Sequence, residues 1–254
     1  MARQCCGAVF PDTRPAEWDV STAEAPATSS YCRIDLTHNS AALDFTLVAP
    51  DDKPEAFGPF IRVTNSYNGL RALAFDIGLN RKVCRNGLIM PDSIIRFRYV
   101  HSARGLAEAI WFDVARDRLA KLTHGFGDLL RPLRECVLPA GTFEPLIRSV
   151  LELRRPENLA LEGRDAEMQE KLEAHLRALE KRYRDELGNN AYAAFNAITD
   201  FASHPPASPL VRRDRHAMQR LAGAWLGRFS RECGEAGFEV GRYLEGYERF
   251  RPEA

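Results

Sequence analysis

Eight cations, Arg62, Arg71, Arg81, Lys82, Arg85, Arg96, Arg98 and Arg104, crowd one stretch of a 254-residue chain, interleaved with Tyr67, Phe75, Phe97 and Tyr99. That pairing of residue types suits nucleic acid. Cations contact phosphates, and flat rings give bases a surface to stack on. Arg81, Lys82, Arg85, Arg96 and Arg98 are the candidate phosphate contacts, with Arg62 and Arg71 beside them. Tyr67 and Tyr99 are the candidate stacking platforms. The plainer alternative is that these arginines decorate a solvated sheet face and pair with acidic residues earlier in the chain.

The charge distribution leaves both readings open. Residues 1–56 carry four Lys and Arg against nine Asp and Glu, residues 57–104 carry eight against two, and residues 105–254 carry 23 against 24. A formal net charge of zero therefore hides a basic middle and an acidic start. The local field, not the total, would draw in an anionic partner.

Other chemistries find less support. Cys84 stands among basic side chains that could lower a thiol pKa. No base stands at a spacing that ties one to it, so a small buried residue under a tight turn is the favoured reading. His38, His101, His124, His175, His204 and His216 form no HxH, HxxxH or HExxH pattern. A functional pair such as His101 with His204 would have to assemble from distant segments. The enzyme alternative is a site built from Asn65, Cys84, His101 and Asp200. Cys5-Cys6 has no CxxC partner, so no metal is expected. No GxxxxGK[ST] or GxGxxG motif opens a helix, and no cofactor is expected.

The elements that would carry these residues follow from periodicity. Residues 1–30, rich in Pro, Ala, Ser and Thr over 11–30, form a peripheral arm. Residues 31–104 form a β-rich basic core. Ile34 and Leu36, then Leu43, Phe45 and Leu47, mark two strands joined by a turn at His38-Asn39-Ser40. Residues 60–78 read as an antiparallel hairpin turning near Ser66–Leu70, because Asn68-Gly69 tolerates positive φ. Asn86-Gly87 repeats that turn chemistry. Arg96 and Arg98 share one face of a further strand.

The period then changes. Leu106, Ile110 and Val114 suggest a helix. Thr142 is a plausible N-cap for a helix from Phe143. Residues 165–187 form the longest helix, stopped by Gly188. Asn190 to Ser203 and Met218 to Phe229 give two more. Strands first and helices later predict an α+β fold, an antiparallel meander followed by a helical half over 105–254 that packs on the sheet as one domain.

The runs NSYNGLRALAFDIG from Asn65, RKVCRNGLI from Arg81 and RFRYVH from Arg96 resemble the DUF932 family of bacterial, phage and plasmid proteins. The segment Asn190–His204 resembles that family's C-terminal helix. The likeness spans roughly residues 55 to 205. It implies a cytoplasmic protein of mobile-element type, near DNA metabolism, and brings no settled activity with it.

No stretch reaches the roughly 18–20 apolar residues of a membrane span, and the N-terminus is too poor in apolar residues for a signal peptide. The expectation is a cytoplasmic, non-catalytic nucleic-acid-binding protein without membrane contact. A protein partner or a second copy, docking on the helical half, is the further alternative.

Overall fold

The computed structural model describes residues 6, 10, 12–24, 31–38, 45–48, 54–66, 73–81, 86–88, 96–99, 117, 125–154, 163–235 and 237–243. The chain divides into two compact units, Met1–Arg85 with Ile89–Phe126, and Asn86–Leu88 with Gly127–Ala254. The first is an antiparallel sheet and the second is mainly helical, as α+β patterning requires.

Strand β4 (Pro54–Ser66) organises the sheet. Residues 60–66 pair with β2 (Tyr31–His38), and residues 54–57 pair with β3 (Phe45–Val48). Pro59 falls between these two paired stretches, where its missing N–H costs no bond to either neighbour. On the other side β4 pairs with β5 (Leu73–Arg81), with Val63 opposite Phe75 and Phe60 opposite Gly78. β1 (Trp18–Glu24) extends the sheet beyond β2, and β7 (Arg96–Tyr99) extends it beyond β5.

The expected 60–78 hairpin is present, and the residues joining its strands lie outside the described residues. The expected hairpin around His38-Asn39-Ser40 is replaced by a different pairing. β2 and β3 both pair with β4, at different stretches of it. A thirteen-residue strand can serve two short partners along one edge. The stretch read as a peripheral arm contains β1, and Trp18 at its start is fully buried. The ring packs at a tilt against Phe10, centroids 5.1 Å apart, and its Nε1–H donates to Thr13 Oγ1 at 3.0 Å. One large aromatic side chain anchors a segment whose polar composition gave no strand signal.

Alternation splits the sheet into two faces. Leu36, Phe57, Ile61, Val63, Phe75 and Leu79 are buried on one. The opposite face holds Arg33, Asp35, Arg62, Thr64 and Asp76, and it too is buried.

In the second unit, β6 (Asn86–Leu88) is a short strand where Asn86-Gly87 suggested a turn. Pairing outweighs the turn preference of that dipeptide. Helix α1 covers 125–135. It is followed by α2 (Phe143–Val150), α3 (Arg164–Leu187), α4 (Ala191–Ser203) and α5 (Arg215–Glu232). The expected helix using Leu106, Ile110 and Val114 lies outside the described residues.

Every residue of α4 is buried, and α2, α3 and α5 pack around it. Its small side chains, Ala191, Ala193, Ala194, Ala197 and Ala202, let the neighbours close in. Asn190 caps it, accepting from Ala193 N–H at 2.9 Å. α3 stops at Gly188, whose φ of +87° favours glycine. Asp214 caps α5 by accepting from Ala217 N–H at 2.8 Å. Thr142 precedes α2 but does not cap it through its side chain. Its own φ and ψ are already helical, and its hydroxyl donates to Pro139 O at 2.7 Å.

Candidate functional site

Strand register builds a row of alternating charge across the polar sheet face. Asp35 is opposite Arg62, Arg62 opposite Asp76, and Asp76 opposite Arg96. The adjacent row runs Arg33, Thr64, Ala74, Arg98. Directly opposed residues are the closest side-chain neighbours in an antiparallel pair. The sheet thus places acids and arginines side by side from residues far apart in sequence.

Arg62 is 1% exposed and grips Asp35 through both nitrogens of its fork, Nε to Oδ1 at 2.6 Å and Nη2 to Oδ2 at 2.5 Å. Its guanidinium also lies 5.3 Å from the centre of the Phe60 ring. Arg81 is buried on the other face and faces Glu55, with Nη2 to Oε1 at 3.4 Å. Both partners come from the acidic first 56 residues. Arg62 and Arg81 are therefore placed against carboxylates inside the sheet, not toward a phosphate. The pairing with the acidic start of the chain is found at these two positions, with the difference that the faces are buried rather than solvated.

Of the other candidates, Arg71, Lys82, Arg85 and Tyr67 lie outside the described residues, as do Cys84 and His101. For Arg96, Arg98 and Tyr99 the strand register is described and the side chains are not. Arg96 and Arg98 hold alternate positions on β7, opposite Asp76 and Ala74, and Tyr99 stands opposite Leu73. Asn65 lies on β4 opposite Cys32, whereas Asp200 belongs to the helical unit.

Asp200 is the centre of a second polar cluster. It is 8% exposed. Its Oδ2 accepts from Tyr183 Oη at 2.7 Å and from Arg182 Nη1 at 3.2 Å. Its Oδ1 pairs with His204 Nδ1 at 3.0 Å. His175 lies nearby on α3, its ring 5.7 Å from that of Phe201. Burial pushes the His175 pKa below its ordinary value, Asp200 acts in the opposite direction, and His204 adds to the lowering. Tyr183, inside the helix expected over 165–187, is not among the candidate residues of the sequence, yet its hydroxyl is one of the groups that hold Asp200. No local spacing points from Asp200 to Tyr183, which stands on another helix.

Among the described residues no group of three or more His, Cys, Asp and Glu could hold a metal ion. Cys136 and Cys233 are half-buried thiols. Burial raises both, Cys233 to about 12 with a further push from the neighbouring Cys136. Neither has the environment of a reactive thiolate. No helix among the described residues is long and apolar enough to cross a membrane.

A family model described as a domain of unknown function, DUF932, matches residues 45–225. The chain belongs to that family. No curated protein and no solved structure matches it.

Proposed function

We propose that this DUF932 member binds single-stranded nucleic acid at the basic outer strand of its sheet unit, without bond-breaking chemistry in that unit. Arg96 and Arg98 contact successive phosphates, and Tyr99 offers a ring for a base. Lys82, Arg85 and Arg71 add to the same positive field. The setting is the cytoplasm, in a phage- or plasmid-type role, and the helical unit is available to a protein partner or a second copy.

One observation carries the reading. Outward from β4, one side passes through β2 to β1 with Asp19 and Glu24, and on the other side β5 pairs with β7, which carries Arg96 and Arg98. Two inner arginines are matched internally, Arg62 by Asp35 and Arg81 by Glu55. Arg98 stands opposite Ala74, so its direct register brings no carboxylate. β7 carries two cations at alternate positions, Arg96 opposite Asp76 and Arg98 opposite Ala74, and that spacing suits a phosphate backbone.

Fluorescence anisotropy of a labelled single-stranded oligonucleotide, titrated with folded protein at low salt, tests this. Saturable binding that weakens as salt rises is the expected result. No binding of either DNA or RNA overturns the proposal.

A further inference from the structure

Asp200 and His204 stand one turn apart at the end of α4. An ion pair at that spacing is ordinarily a weak surface contact. This one is built differently. The carboxylate is buried, and Tyr183, Arg182 and His204 all converge on it. Those contacts fix it in one orientation. When Nδ1–H donates to Asp200, the ring is held and the Nε2 lone pair is left on its far side.

The His204 side chain is 56% exposed, and so is that of Arg182, which meets the same carboxylate. Nor is the imidazole needed to end the helix, because the backbone N–H of His204 already donates to Asp200 O at 2.9 Å. A fixed, buried carboxylate behind a solvent-facing imidazole is the arrangement that orients a histidine for proton transfer.

We infer that Asp200 and His204 form a general-base dyad acting on carboxylic esters. The inference rests on the helical unit alone and is independent of nucleic-acid binding by the sheet. His204 Nε2 takes a proton from water as the water oxygen bonds to the carbonyl carbon. The carbonyl π pair moves onto its oxygen. Collapse of the adduct re-forms the carbonyl and breaks the bond to the alcohol oxygen. That oxygen leaves with the bonding pair and takes up the proton from His204. Water and ester are consumed, and acid and alcohol are formed. Asp200 is a positioning residue, because it acts through the ring.

The probe is p-nitrophenyl acetate, with p-nitrophenolate release followed for the full chain across pH and in heavy water. The expected result is a rate about ten-fold or more above that of His204→Gln, rising with pH through one ionisation and slowed in heavy water. Asp200→Asn should lose most of that excess. The wild-type chain unfolded in urea is the control that needs no variant, and it should lose the excess as well. A wild-type rate equal to that of His204→Gln or of the unfolded chain overturns the inference. So does a folded Asp200→Asn variant that keeps the full rate.

Discussion

Arg62 and Asp35 are 27 residues apart in sequence and bonded through two hydrogen bonds across neighbouring strands. The bond joins the basic middle of the chain to its acidic start, inside the sheet. A buried pair of this kind is costly to break, because the surviving partner keeps its charge without its counter-ion. Arg62→Ala or Asp35→Ala should each destabilise the chain by about 3–5 kcal/mol. The double replacement Asp35→Leu with Arg62→Met should recover much of that loss. Urea unfolding of the three variants checks both statements.

Asn190 satisfies the first turn of α4 and also donates Nδ2–H to Leu187 O at 2.8 Å, tying the end of α3 to the start of α4. Asn190→Ala should cost about 1 kcal/mol, the ordinary worth of an N-cap. Asn190→Asp should keep the cap and lose only the bond to Leu187. Thermal or urea unfolding distinguishes the two.

His175 makes the fold acid-sensitive. Its pKa in the folded chain is lowered from the ordinary 6.5, chiefly by burial. The unfolded chain therefore binds a proton at a higher pH than the folded one. The stability associated with a neutral His175 is fully present above 6.5 and falls as pH drops through the folded value. His175→Phe should flatten this part of the stability–pH curve. An unchanged curve from urea unfolding at several pH values would show that other groups govern it.

Cys233, with its pKa raised to about 12, should react slowly with iodoacetamide at neutral pH, and Cys136, also raised by burial, should be slow too. Both should react at an ordinary rate once the chain is unfolded. Peptide mass mapping after timed alkylation reads each site separately.

The strand and helix pattern was legible where periodicity was strong. Ile61 and Val63 alternate with Arg62 and Thr64, which is enough for a strand, and the apolar stripe from Met168 to Leu187 is enough for α3. The partners of the arginines were not legible. Asp35 meets Arg62 only because β2 and β4 take one register, and a shift of one residue would turn it to the other face. Trp18 was hidden for a related reason. A single buried ring holds β1 in place while its neighbours Asp19, Ser21 and Thr22 read as loop. Asp200 was legible as a candidate only by type. Its link to Tyr183 depends on how α3 packs against α4, which no local spacing encodes.

The salt dependence of binding tests the central claim most directly. Arg96→Ala with Arg98→Ala should shallow the slope of log affinity against log salt by about one to two units, since each phosphate contact on a single strand contributes roughly 0.7. Tyr99→Ala should instead weaken binding by about 1–3 kcal/mol at nearly constant slope. Anisotropy titrations of the wild-type chain and both folded variants, each at several salt concentrations, give the slopes. The account predicts a shallower line for the double arginine variant and a parallel, weaker line for Tyr99→Ala. A double arginine variant that binds with wild-type affinity and wild-type slope would contradict it.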